Sequence, residues 1–571
     1  MMNGTQRLTL GESQHRVADR LRNWQENEFA RRLWEKDPTL WSPLPVAEIT
    51  DRLGWLHLPE IMPAQVDELT AFAREVKTAG MRHVVLLGMG GSSLAPEVFQ
   101  QTFGNAPGYP ALMLLDSTHP AAVRRVASKV DLSRTLFVIS SKSGTTTETV
   151  SLFQYFWQQV AGTSAQPGGQ FVAITDPDTP LARLAVERSF RRVWLAPPDV
   201  GGRYSALTVF GLVPAALIGV DVRRLLDRAR AMALACGPSA SAEGNPGLVL
   251  GAAIGELALA GRDRLTLVTS SSLASLPSWI EQLVAESTGK DGRGIVPVCD
   301  ERLTPPEVCG DDRFFVYMRM RGDDTRGLGL GVEALEARGH PVARIELADP
   351  ADLGGEFFRW EVAVAAAGAA LGIHPFNQPD VQLAKDLAAR AMASRGAADR
   401  RVAGVDASPQ RVDEDMTEAS VDDSGALLRR LEVWLTGVRP GDYLAVQAYL
   451  APSPQTSSVL QEIRSTIGNR LRIATTSGYG PRFLHSTGQL HKGGPDTGVF
   501  LQLVDDPAGG GDLAVPETQY TFGALIRAQA LGDFHALHQR GRRVLRVHLG
   551  QEAGKGLKRL IQTLRHVKAG A

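Results

Sequence analysis

TLFVISSKSGTTTETVSLFQYFWQQV, residues 135–160, decides the reading of the fold. A run of strand-forming residues, TLFVIS (135–140), passes directly into a Ser/Thr/Gly turn, SKSGTTT (141–147). A helix follows, with Val150, Phe153, Trp157 and Val160 on one face. A short apolar run without polar alternation predicts a strand covered on both faces, as in a parallel sheet. The same strand–turn–helix unit stands upstream: HVVLLGM (83–89), a glycine-serine turn (88–93), and APEVFQQTF (95–103). A helix at 63–79, the strands ALMLLD (111–116) and QFVAITD (170–176), and a helix at 119–128 complete the pattern. This alternation predicts an α/β domain with a parallel sheet.

A second run begins near 245, with strands DRLTLVTS (263–270), RFFVYMRM (313–320) and PVARIEL (341–347), and an Ala-rich helix at 356–371. Residues 394–425 are polar and charged and read as a linker or long surface loop. The α/β pattern then returns with DYLAVQAYL, NRLRIATTS, GVFLQLVD and RRVLRVHLG. Upstream, 13–38 reads as a charged helix, and Trp34, Trp41 and Trp55 read as packing aromatics. The expected divisions are a helical segment 1–60, α/β domains 61–235 and 240–393, a linker 394–426 and a C-terminal α/β block 427–571. RGHPVARIEL (338–347) and RGRRVLRVHL (540–549) agree at five of ten positions, an echo of a duplicated half-domain.

Composition narrows the function. In 571 residues, 61 Lys+Arg against 62 Asp+Glu give a net charge of -1. No global field is available to hold nucleic acid or an anionic membrane, so an anion site must be built locally. Cys236, Cys299 and Cys309 are too few for a disulfide framework and form no close metal-ligand pair. The opening MMNGTQRLTLGESQHR holds no apolar signal core, and no apolar run reaches about 18 residues. A cytoplasmic setting is expected.

Both turns have anion-binding chemistry. Glycines in GMGGSS let backbone approach a ligand, and the helix that follows offers unpaired N–H groups. A dinucleotide fingerprint is the rival reading, with Ser93 at the third glycine position and Asp116 ending the next strand. Thr145 and Glu148 have capping-box spacing. Capping needs one hydroxyl, however, and the second turn crowds several over one helix start. That favours a phosphate monoester.

GMGGSSLAP, SSKSGTTTET, GGRYS (201–205), ESTGKDGRGIVPV (286–298) and HPFNQPDVQLAK (374–385) stand in one order over residues 60–390. With these motifs the chain resembles the glucose-6-phosphate isomerase family, above all the isomerase portion of the bifunctional transaldolase/glucose-6-phosphate isomerases. The resemblance implies two flavodoxin-like sugar isomerase domains with parallel sheets, plus the additional C-terminal α/β block. It implies a sugar phosphate as ligand, no cofactor, no metal, no nucleic-acid or membrane partner, and a monomer or homodimer. Gly91, Ser92, Ser141, Ser143 and Thr146 match the family's phosphate-binding turns. Gly202 and Arg203 match its GGRY motif. Glu286 matches its catalytic base, Gln282 a substrate-contact glutamine, and Gln378 and Lys385 its C-terminal motif, with Asn377 where aspartate is common.

Local sequence supports Glu286 separately. SWIEQLVAES is helical, Gly289 is expected to close it as a left-handed cap, and Glu286 falls in the last turn, near the negative dipole end. The family's ring-opening histidine departs from order. Its pattern appears in FLHSTGQLHKGG (483–494), placing His485 about 100 residues after Lys385, with His491 as competitor. His340, His374, His535 and His538 read as packing or surface residues. Two alternatives stand at this point: a non-catalytic sugar-phosphate sensor of the same fold, and a Rossmann-type dehydrogenase.

Overall fold

The computed structural model describes residues 5–44, 46–398, 417–506 and 511–567. The chain divides into two compact units, Met1–Asp116 with Lys129–Gln378, and Ser117–Ser128 with Pro379–Ala571.

The first unit holds two five-stranded sheets. After β1 (Thr5–Thr9), the first sheet is built from β2 (His83–Gly88), β3 (Ala111–Leu115), β4 (Thr135–Ser140), β5 (Phe171–Thr175) and β6 (Arg192–Leu195), all parallel, in the order β3-β2-β4-β5-β6. Every residue of β4 is buried, Thr135 and Ser140 at its ends included, as a strand covered on both faces requires. The second sheet takes β7 (Arg264–Thr269), β8 (Val296–Val298), β9 (Arg313–Met320) and β10 (Val342–Leu347), in the order β1-β10-β9-β7-β8. β1 closes its edge antiparallel to β10.

The helix Leu353–Leu371 is buried along nearly its whole length and is mostly apolar, but Glu356, Arg359 and Glu361 are buried with it. Its alanines face Gly251 and Gly255 of the helix Pro246–Leu259. A Cβ at Gly251 would lie 2.6 Å from the Ala363 carbonyl oxygen, so small residues on both helices set their close approach.

The second unit holds β11 (Glu418–Ser420), β12 (Tyr443–Tyr449), β13 (Ala474–Tyr479), β14 (Gly498–Val504) and β15 (Arg543–His548), all parallel, in the order β11-β15-β14-β12-β13. Counted within each sheet, the main strands run 2-1-3-4 in all three, the doubly wound order that reverses direction between strands 1 and 3. The two echoing segments end in β10 and β15, the fourth strand of their sheets.

Several details differ from the sequence reading. Residues 1–60 are not only helical, because β1 joins the second sheet. The expected helix 13–38 breaks into Gln14–Glu26 and Phe29–Trp34, with Glu28 left-handed at φ 51° between them. β6, β8 and β11 are strands of four residues or fewer, too short for a periodic signal. The units divide at Gln378/Pro379, ahead of the expected boundary at 393. The reason is that the helix Val381–Ala398 packs on the helix Phe522–Gln539, where a Cβ on Gly532 would lie 2.6 Å from the Ala388 amide nitrogen. Of the expected linker, 399–416 lies outside the described residues, while its flanks are helix to Ala398 and strand from Glu418. Among the described residues no helix is long and apolar enough to cross a membrane.

Candidate active site

The register of β2 and β4 pairs Gly88 with Ser140. The turns that follow these strands therefore leave the sheet side by side at its carboxyl edge, where strand order reverses and doubly wound sheets bind ligands. Ser140 Oγ donates to the Ser92 carbonyl at 3.1 Å and ties the turns together. Gly91 is required by space: a Cβ there would lie 2.0 Å from the Gly202 carbonyl oxygen. The first turn thus presses directly on the GGRY turn, and Ser205 Oγ, which donates to Gly202 O at 2.6 Å, lies 3.5 Å from Gly91 O.

In the second turn Ser141 Oγ and Thr146 Oγ1 are 3.0 Å apart, and Ser143 Oγ and Thr145 Oγ1 are also 3.0 Å apart. Gly144 takes φ +68° and donates its N–H to Ser141 Oγ at 3.2 Å. The expected Thr145 capping box is absent. Thr146 is the N-cap of the helix Thr147–Ala161 and makes no side-chain capping bond. Its hydroxyl turns to Ser141 instead, so the hydroxyls form their own group over an uncapped helix start. Lys142 turns away to an ion pair with Asp176.

Glu286 is only 7% exposed, in the last turn of the helix Leu276–Thr288. Its Oε2 accepts from Arg203 Nη1 and from Gln282 Nε2, each at 3.3 Å. Gln282, one turn earlier, is 4% exposed, and its Oε1 has no hydrogen-bond partner among the described residues. Arg203 is the hub. Nε donates to Ser287 Oγ (2.9 Å), Nη1 also to Gln378 Oε1 (2.8 Å), and Nη2 to the carbonyls of Pro375 (2.6 Å) and Asn377 (3.0 Å). The structure therefore brings Arg203, Gln282, Glu286 and Gln378 into one cluster, contiguous through Gly202 with the first turn.

Three contributors were missed in the sequence. Lys290, 1% exposed, donates to the carbonyls of His374 (2.5 Å) and Asn377 (2.6 Å) and to Asn377 Oδ1 (2.8 Å). Burial pulls its pKa well below that of an ordinary lysine. Ser287 receives Arg203 and lies 3.3 Å from the Tyr204 hydroxyl, whose pKa burial pushes up to about 12. Lys290 and Ser287 sit inside the ESTGK motif and Tyr204 inside GGRY, so the motifs were the available signal.

Gly289 corrects the expected left-handed cap. It lies at φ -78°, ψ 71°, an inverse γ-turn geometry, and Lys290 N donates to Thr288 O at 2.9 Å. The tight reversal aims Lys290 back at residues 374–377. His374 is fully engaged: Nδ1 accepts from Phe376 N at 3.2 Å, Nε2 lies 3.0 Å from Ala47 O, and burial takes its pKa down to about 4.

Lys385 and His485 belong to the second unit. Lys385 is exposed on the helix Val381–Ala398, and His485, half-buried, ends the turn Arg482–His485. His491 is buried between the rings of Phe483 and Phe500, at 5.9 and 5.0 Å, with Nδ1 3.2 Å from Gln447 Nε2. Burial holds its pKa well below an ordinary histidine. Of the two histidines in the segment, His485 is the one solvent reaches.

Doubly wound paired sheets, hydroxyl-lined turns at the reversal point and a buried Glu–Arg cluster beside them define a protein of the sugar isomerase fold. A sequence profile of the phosphoglucose isomerase family matches residues 66–295. The probable glucose-6-phosphate isomerase of Natronomonas pharaonis is 30% identical over 364 residues, covering 58% of this chain and 83% of that protein. The glucose-6-phosphate isomerase of Rubrobacter xylanophilus is 29% identical over 391 residues, covering 59% and 88%. The crystal structure of a glucose-6-phosphate isomerase from Chlamydia trachomatis shares the fold, with a TM-score of 0.56 at 18% identity over 69% of this chain and 89% of that one. The chain belongs to the glucose-6-phosphate isomerase family.

Proposed function

We propose that the chain interconverts glucose 6-phosphate and fructose 6-phosphate. The observation that carries this reading is the contiguity of two groups: the hydroxyl-lined turns, and a buried carboxylate held by Arg203 and Gln282 immediately beyond them. A sensor needs the first group and has no use for the second. A dehydrogenase would have no need of the second hydroxyl-lined turn.

In the proposed mechanism Ser92, Ser141, Ser143 and Thr146, with the amides around Gly91, take the phosphate. Binding energy at that remote group positions the C1–C2 end. His485, assisted by Lys385, moves the proton that opens the ring, from the C1 hydroxyl to the ring oxygen, as the C1–O5 bond breaks and the C1 carbonyl forms. Glu286 then removes the proton from C2 of the open aldose; the C2–H pair becomes the C1–C2 double bond, and the carbonyl π pair moves to the C1 oxygen. Transfer of the O2 proton to O1, with return of the first proton to C1, converts the C1–C2 double bond into the C2 carbonyl and gives the ketose, so the substrate is rearranged without net oxidation. Arg203 stabilises the negative oxygen of the enediolate, and Gln282 Oε1, which has no hydrogen-bond partner among the described residues, accepts a sugar hydroxyl. Gln378, already bonded to Arg203, adjoins the same atoms. A cytoplasmic setting and a monomer or homodimer belong to the same reading.

Glu286→Gln tests it. Turnover should fall by about 10²–10⁴, while 6-phosphogluconate still binds within a few-fold of wild type. Retained turnover removes Glu286 from the mechanism.

A further inference from the structure

Lys385 and His485 stand on different segments of the second unit, and one contact fixes those segments to each other. Gln489, fully buried, lies in the helix Gly488–Gly493, four residues after His485. Its Oε1 accepts from the backbone N–H of Asp380 at 2.8 Å, and its Nε2 donates to Asp380 Oδ2 at 2.7 Å. Asp380, 7% exposed, immediately precedes the helix that carries Lys385, and its Oδ1 is taken by Arg540. The primary amide meets donor and acceptor of one residue at two points. That fixes orientation as well as distance, as bidentate pairs do.

The other side of the six-residue helix is equally constrained. Lys492 Nζ lies 2.6 Å from Asp533 Oδ1, both side chains being 1% exposed or less, and donates to Gly488 O at 3.2 Å. Arg542 Nη2 donates to the carbonyls of Lys492 (2.9 Å) and Gly494 (2.5 Å). A helix this short has no stability of its own, so its place is set by these partners. The Lys492–Asp533 pair anchors it to the helix Phe522–Gln539, and Gln489 relates it to the helix of Lys385.

We infer that Gln489 and Asp380 are positioning residues that hold the His485 turn in register with Lys385 for ring opening. This rests on the roles proposed above for His485 and Lys385. A small rotation of the helix Gly488–Gly493 would carry His485 with it, and the two-point pair with Asp380 opposes that rotation.

The test separates ring opening from proton transfer between carbons. Exchange of the α and β anomers of glucose 6-phosphate, followed by two-dimensional exchange NMR, requires ring opening but no removal of the C2 proton. Gln489→Glu sets a carboxylate against that of Asp380. Catalysed anomer exchange should fall at least tenfold, with the inhibition constant of 6-phosphogluconate changed less than threefold. Combining Asp380→Asn with Gln489→Glu re-forms the pair with donor and acceptor exchanged between side chains, and should restore exchange to within threefold of wild type. Gln489→Met, similar in size and uncharged, serves if the carboxylate variant does not fold, and should show the same loss. A folded Gln489→Glu or Gln489→Met protein with wild-type anomer exchange overturns the inference, as does a folded double variant that stays impaired. His485→Ala separates the two levels. If it keeps wild-type anomer exchange, the role of His485 is wrong and the inference falls with it. If it abolishes exchange while the Gln489 variants do not, the inference alone is wrong.

Discussion

All five N–H groups of Arg203 are taken by protein acceptors. To stabilise an enediolate, Arg203 must exchange one of them. Gln378 Oε1 is the neutral side-chain acceptor of Nη1 and is the easiest to release, since the Nη2 bonds run to backbone carbonyls and the remaining Nη1 bond runs to Glu286 itself. Glu361 poses a different problem at the same scale. It is fully buried in the helix Leu353–Leu371, and neither carboxyl oxygen has a hydrogen-bond partner among the described residues. Burial pushes its pKa well above the ordinary glutamate value. Below the unfolded value of about 4.3 both states hold the proton and no penalty arises. Above it the unfolded chain releases the proton while the folded chain keeps it, so stability falls as pH rises toward the folded pKa. Glu361→Gln should therefore stabilise the protein, and its advantage should widen as pH rises above the unfolded value of about 4.3. Urea denaturation at several pH values checks this; an advantage that does not change with pH contradicts it.

At the scale of elements, the reversal after the helix Leu276–Thr288 links Glu286 to residues 374–378 through Lys290. Lys290→Met removes the lysine donor from the His374 carbonyl and from Asn377 Oδ1, while the Asn377 carbonyl keeps Arg203, at a cost of about 1–3 kcal/mol for each acceptor left buried without a partner. Stability in denaturant should drop and turnover should fall about tenfold, because the loop that supports Arg203 and Gln378 is freed. Unchanged turnover with lowered stability would restrict Lys290 to folding. The elements differ in how far the sequence revealed them. β4 and β9 could be delimited to the residue, because each is built on a compact strand-forming apolar core, LFVI in one and FFVYM in the other. β1 was invisible: TQRLT has Leu8 as its one apolar residue and becomes a strand only because β10 offers it an open edge. Glu286 could be located from a motif, but its burial could not, since its ion-pair partner Arg203 stands 83 positions earlier in the chain. Gly289 shows the converse error, where a local rule for helix ends lost to the distant acceptors that draw Lys290 back.

At the scale of the whole molecule, a net charge of -1 gives a dianionic substrate no long-range attraction, so affinity has to come from the cradle itself. At 100 times its dissociation constant, 6-phosphogluconate should stabilise the folded protein by about 2.7 kcal/mol. Gluconate, without the phosphoryl group, should give no such shift at the same concentration. Ser92→Ala combined with Ser141→Ala should remove most of the effect. Thermal midpoints with both ligands measure it, and an equal rise with gluconate would place recognition elsewhere on the sugar. The repeated 2-1-3-4 strand order was only hinted at by the echo of 338–347 and 540–549, because a sheet order is a property of pairing, and ten residues carry almost none of it.

The pairing of β1 with β10 joins residues 333 positions apart in the chain, counting from Thr9 to Val342. During synthesis at 5–20 residues per second, Thr5–Thr9 emerges from the ribosome roughly 20–70 s before its partner strand is made. The first sheet can close in that interval, while the second waits for an early segment to come back and finish its border. An affinity tag fused ahead of Thr5 is therefore expected to slow maturation of the half that carries Glu286, and to spare the half that carries the two hydroxyl-lined turns.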